Sequence, residues 1–146
     1  LIRSFVRGYY GPEAEHGVLQ CLSLMENAAS QTHMGIYDMP DAAYLDEGLI
    51  EQADGCLADA LSLTADPLRR ERLERGRLSF EYVRLARLPM DAPGRSERID
   101  AFAGELARLG VTELFERREL AGSIRCMKES RFTRQRDDVP YRCYRL

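Results

Sequence analysis

Leu49, Ile50, Ala53, Cys56, Leu57, Ala60 and Leu61 recur at spacings of three and four. That period closes one face of an α-helix and does not fit the two-residue alternation of a strand. The same period returns in Ala14, Val18, Cys21, Leu22, Met25, Ala28 and Ala29, and again in Ile99, Phe102, Ala103, Leu106 and Leu109. Each stripe needs an apolar surface to cover it. The connections between the first three helices are short enough to make sequential neighbours pack antiparallel. The chain is therefore expected to be all-α, an irregular antiparallel bundle of four to six helices.

Proline and glycine set the expected boundaries. Leu1 to Arg7 reads as a helix end stopped at Gly8, and Gly11-Pro12 restarts a helix that runs to Ser30. Residues 31–45 read as a loop, pinned by Tyr37 and Tyr44. A helix follows from Asp46 to Leu63. Asp66 is a good N-cap and Pro67 a good first helical residue, so the next helix spans Pro67 to about Leu88. Its apolar residues spread to most sides toward the end, which predicts burial of that end. Pro89 and Pro93-Gly94 break the chain and suggest a subdomain joint at 89–95. A helix from Ser96 to Leu109 is closed by Gly110. Val111 to Phe115 fits a strand or a helical turn, and residues 117–130 a further helix. The bundle domain is thus expected over 1–130, followed by a polar, Arg-rich tail over 131–146. An apolar segment is already running at Leu1, and the chain is expected to be part of something larger.

The net charge of -3 conceals two unlike halves. Residues 1–66 carry two Arg against eleven acidic residues, a balance of -9, and residues 67–146 a balance of +6. The simplest consequence is mutual attraction of the halves within one fold. A nucleic-acid surface is a weaker reading, because the Arg are interleaved with Glu and no aromatic platform accompanies them. The seven Arg from Arg69 to Arg87 predict a salt-bridged face, with Glu71–Arg75 and Glu81–Arg84 at pairing distance. No run approaches 18 uninterrupted apolar residues, so no membrane span is expected.

The residues offer little chemistry. Cys21, Cys56, Cys126 and Cys143 lack zinc-ligand spacing, and the first two sit in apolar stripes as small core residues. Cys126 and Cys143 admit a disulfide without requiring one. His16 is expected to face solvent and His33 lies in the loop; no carboxylate spacing joins them to a metal. His16 and Cys21 lie five residues apart, on poorly matched helix faces, too far for a nucleophile and its base. Glu113 and Glu116, one turn apart, suit a solvated face better than a glycosidase carboxylate pair flanking a cleft. Gly-rich phosphate loops, cofactor motifs and a nucleophile elbow are absent.

The segment Phe5…Gly8-Tyr9-Tyr10-Gly11-Pro12…Ala14, set between two helices, resembles the C-terminal helical region of a large bacterial family whose members look like glycoside hydrolases related to alpha-glucuronidases. Leu49 to Ala60 is similar to that family's helix of small residues before an Asp-Pro turn. Asp66-Pro67, then Arg70, Arg72-Leu73-Glu74, Arg77-Leu78 and Tyr82, is similar to the helix after it. The resemblance covers residues 1–88, is loose over 89–130, and does not reach the tail. It implies a catalytic TIM-like barrel upstream, whose carboxylates do the chemistry, with this helical part packed beside it. No catalytic residue carries over. Phe5, Tyr9, Tyr10 and Gly11 would form a domain junction, and in a minor alternative Tyr10 or His33 reaches the barrel's sugar site. The implied function is a non-catalytic accessory domain supporting the barrel or a dimer interface. The partner is then the barrel of the same polypeptide or a second subunit, with no nucleic acid and no membrane. A free-standing protein-interaction module is the alternative, and a small enzyme in its own right has no motif support.

Overall fold

The computed structural model describes residues 1–32, 39–115 and 118–129. Their architecture is all-α. Six helices lie among the described residues: α1 (Ile2–Tyr10), α2 (Glu15–Ser30), α3 (Glu47–Leu63), α4 (Pro67–Arg87), α5 (Arg95–Arg108) and α6 (Leu120–Glu129). A short antiparallel hairpin, β1 (Glu113–Phe115) with β2 (Arg118–Glu119), precedes α6. The described residues divide into two compact units, 1–32 with 42–80 and 39–41 with 81–115 and 118–129, so the division falls within α4.

In the first unit α1 packs on α2 and α2 on α3. Val6, Ala14, Val18, Cys21, Ile50, Ala53, Leu57, Ala60 and Leu73 form its core. The α3 stripe is buried as its period predicts, except that Leu61 is only half-buried. In α2, Leu22 is exposed although it belongs to the predicted stripe. It stands one residue past Cys21, off the narrow face that meets α3. That face is narrow because Gly17 brings the backbones together: a Cβ at position 17 would lie 2.5 Å from the Cys56 carbonyl oxygen and 3.1 Å from the Ala60 Cβ. α4 runs antiparallel to α3, with Arg77 at Asp54, Gly76 at Leu57 and Arg70 at Leu61.

The helix starts follow the cap chemistry. Asp46 accepts from the Leu49 amide at 2.9 Å and Asp66 from the Arg69 amide at 2.9 Å, which satisfies one otherwise unpaired donor in each first turn. Three boundaries differ from expectation. α1 continues through Gly8 to Tyr10, and the break comes at Gly11, whose φ of 98° only glycine adopts without strain. Pro12 lies in the turn before α2 rather than at its first position, and α2 starts at Glu15 behind Ala14. Likewise residues 118–119 pair as a strand with β1, so the last helix starts at Leu120.

In the second unit Leu85, Ala86, Ile99, Phe102, Leu106, Leu109, Cys126 and Met127 are buried. The far end of α4 is covered, as its loss of a polar face predicts. Arg95 is buried too. It donates to the Met127 carbonyl at 2.6 Å and the Lys128 carbonyl at 3.3 Å, and so closes the C-terminal end of α6 with a cation. Gly94 and Gly110 flank α5 with positive φ. Cys126 is disulfide-bonded, while Cys21 and Cys56 are free. Tyr37, His33, Glu116, Cys143 and the whole 131–146 tail lie outside the described residues.

Candidate interaction surface

α1 is short and two-faced. Val6 is buried at 1% exposure and Tyr10 half-buried against the bundle, while Ile2 is 65%, Phe5 60% and Tyr9 37% exposed. Ile2, Phe5 and Tyr9 follow an i, i+3, i+7 spacing, which aligns them along one side of the helix. Six large apolar or aromatic groups crowd residues 1–10, namely Leu1, Ile2, Phe5, Val6, Tyr9 and Tyr10, and four of them, Leu1, Ile2, Phe5 and Tyr9, are exposed.

The aromatic groups are held in a fixed stack. The Phe5 and Tyr9 rings are 5.3 Å apart and nearly parallel, and Tyr10 meets Tyr9 edge-on at 4.9 Å. Arg72 of α4 places its guanidinium 4.0 Å from the Tyr9 ring centre and donates to the Tyr9 carbonyl at 2.5 Å. A planar cation over an aromatic face, with a second bond to the same residue, fixes the ring's orientation. Gly11 ends the helix just beyond, and Glu13 pairs with Arg69 at 3.1 Å. Thus the resemblance-carrying residues Phe5, Tyr9, Tyr10 and Gly11 do come together, three in the stack and Gly11 at its end. Arg72 and Arg69 join them from α4, which the sequence did not reveal.

Arg3 and Arg7 leave the other side of α1 and share Glu15 of α2 at 3.4 and 3.6 Å. The α4 arginines are also engaged. Arg70 donates to the Leu61 and Thr64 carbonyls, Arg75 pairs with Glu71, Arg77 with Asp54, and Arg84 with Glu81, and Arg87 donates to the Pro40 carbonyl. With Arg69 and Arg72, all seven guanidinium groups of α4 meet partners in their own chain. The pairs of Arg69 with Glu13 and Arg77 with Asp54 realise the attraction expected between acidic and basic halves.

Between α3 and α4 lies a polar pair that periodicity missed. Asp54 is 8% exposed and takes a two-point ion pair from Arg77, at 2.6 and 3.3 Å. Its position inside the α3 stripe, next to Ala53, was the available signal. Burial pushes the Cys21 thiol up to about 11, and Cys56 and Asp54 add to the shift. Cys56 is raised chiefly by burial, with Asp59 adding, against a backbone hydrogen bond that lowers it. Burial also raises Tyr10, reinforced by Tyr9 and Cys21 and opposed by Arg72. Thiols held protonated are poor nucleophiles and poor metal ligands. Among the described residues no group of three or more His, Cys, Asp or Glu is placed to hold a metal ion.

His16 is exposed on α2. Glu113 is exposed on β1 and sits opposite Glu119 of β2. In the second unit an open groove of about 590 Å³ is lined by Ala103, Leu120, Ala121, Ile124, Arg125, Lys128 and Glu129. Lys128 is drawn to Asp100 at 2.6 and 2.7 Å. No helix among the described residues is long and apolar enough to cross a membrane. No family model, curated protein or solved structure matches this chain. The glycoside-hydrolase resemblance therefore rests on the motifs quoted for it.

Proposed function

We propose that this chain is a non-catalytic helical accessory module that docks through the outer face of α1. The observation that carries this reading is the exposed Ile2–Phe5–Tyr9 strip, in which Phe5 stacks on Tyr9 and the Arg72 guanidinium lies over the Tyr9 ring. Aromatic side chains fixed before contact lose little conformational freedom on binding and favour recognition. In the carbohydrate-active enzyme that the Tyr9-Tyr10-Gly11 resemblance implies, this face would meet the catalytic barrel or a second subunit. The chemistry would then belong to the barrel.

A photo-reactive benzoyl-phenylalanine in place of Phe5 tests the docking surface. In cells it is expected to give one cross-linked product of defined mass, lost in the Tyr9→Ser background. The same group at Leu63, which is also exposed, is the control. Equal or absent cross-linking from the two positions overturns the proposal.

A further inference from the structure

α2 and α3 meet at Gly17, where an added Cβ would stand 2.5 Å from the Cys56 carbonyl oxygen and 3.1 Å from the Ala60 Cβ. Bond lengths then hold the Gly17 and Cys56 Cα atoms within about 7 Å of each other. Cys21 follows Gly17 by four residues and so lies on the same face of α2, one turn on. Cys56 and Ala60 form the side of α3 turned to α2, while Asp54 and Leu57 turn to α4 at Arg77 and Gly76. Both thiols are free, and both are buried.

Helix direction brings the two together. At Gly17, α3 stands between Cys56 and Ala60; one turn later, Cys21 is within electrostatic reach of Cys56 and Asp54. The two helices are therefore antiparallel. Every Cα–Cβ bond leans toward the N-terminus of its own helix. The Cys21 side chain thus leans back toward Gly17, and the Cys56 side chain leans away from Ala60, so both lean to one level of the contact. A disulfide needs Cα atoms about 4.4–6.8 Å apart, and the approach at Gly17 sets the two backbones at that spacing.

We propose that Cys21 and Cys56 are a modification site, a thiol pair that a small-molecule disulfide such as glutathione disulfide oxidises to a bond stapling α2 to α3. Cys56 is the less covered thiol, 9% exposed against 6%, and reacts first. Its thiolate attacks one sulfur of the oxidant and forms a mixed disulfide. The glutathione thiolate released takes up the proton that Cys56 gave up. The Cys21 thiolate then attacks the Cys56 sulfur, joins the two cysteines and releases the second glutathione in the same way. Two protein thiols are oxidised, and one small disulfide is reduced to two thiols. Burial keeps Cys21 protonated, so the second attack sets the rate. The bond closes a loop of about 35 residues, which restrains the unfolded chain and raises the melting temperature.

The purified, folded chain is brought to equilibrium with excess glutathione disulfide, then unfolded in maleimide and cleaved after arginine. Residues 8–69 emerge as one peptide, because no Lys or Arg lies between Arg7 and Arg69. That peptide is expected to lose two hydrogens and take no maleimide. After further cleavage at Glu26, Glu47 and Glu51 its Cys21 and Cys56 fragments stay joined until a reductant is added. In Cys21→Ser, Cys56 stops at the glutathione adduct. The oxidised wild-type chain is expected to melt at least about 5 °C above the untreated chain. Any other state of the wild-type peptide at equilibrium, with maleimide or glutathione on either cysteine, overturns the pair. So does a bond that leaves the melting temperature unchanged or lower, since it would form only by prying α2 from α3.

Discussion

Gly17 of α2 lies against the backbone carbonyl of Cys56 in α3, so close that a Cβ at position 17 would stand 2.5 Å from that oxygen. The contact fixes how near the two helices come and so places Cys21, one turn on, beside Cys56. Gly17→Ala gains about 1 kcal/mol of helix propensity but must push the helices apart. Overpacking of this kind costs about 1–3 kcal/mol, so a net loss of about 1–2 kcal/mol is expected. Gly55→Ala, where an added Cβ meets nothing within 4 Å, should instead gain up to about 1 kcal/mol. Urea unfolding of the two variants gives opposite signs if the close approach is real.

The Asp54–Arg77 pair should behave as one unit. Asp54 is buried and Arg77 about one-third exposed, so Arg77→Ala strands a carboxylate in the core at a cost of about 2–3 kcal/mol. Adding Asp54→Ala to Arg77→Ala should cost little more. A double-mutant cycle whose coupling is near zero would show that the pair is solvated and structurally idle.

Stability should fall as pH rises through the alkaline range. Cys21 has a folded value near 11, above its ordinary 9.0, so the folded state holds the proton more tightly than the unfolded chain. Its contribution is complete below about pH 9 and is lost as pH rises toward 11. The raised Tyr10 acts in the same direction. Cys21→Ala should flatten the melting-temperature decline between pH 8.5 and 10.5, relative to wild type. An unchanged slope in that variant would place the alkaline sensitivity elsewhere.

Leu57→Asp and Arg69→Ala test the facing of α3 and α4. Leu57 is 6% exposed and touches α4 at Gly76, so a carboxylate there should unfold the domain. Arg69 and its partner Glu13 are each about one-third exposed, and losing that pair should cost about 1 kcal/mol or less. Equal thermal shifts would mean that one of the two helices is turned.

The isolated chain is expected to hydrolyse no aryl glycoside or glucuronide. Glu113 sits exposed on β1 opposite Glu119, on a two-stranded hairpin. Turnover above buffer that Glu113→Gln or Glu116→Gln abolishes would make the chain an enzyme in its own right.

Much of this architecture is present in the linear pattern. The period of three and four marked the faces of α2, α3 and α5, and Asp46, Asp66 and Pro67 marked two helix starts, because both signals act within a few residues of the chain. The end of α1 was misjudged for a related reason: two glycines compete locally, and only the three-dimensional turn decides that Gly11, not Gly8, takes the positive φ. The surface was half legible. The density of apolar groups in residues 1–10 required that some stay outside, but not which.

That choice, and everything else that depends on pairs far apart in sequence, belongs to the tertiary structure. Packing of α1 on α2 buries Val6 and leaves Phe5 out. Arg72 reaches the Tyr9 ring across 63 positions, and Arg77 finds Asp54 across 23. A charge on a helix carries no mark of its partner, since its energy depends on a distance that only the assembled fold sets. Sequence by itself therefore determined the helices and their inner faces, whereas the fold decided which arginines are consumed within the chain and which face of α1 stays exposed.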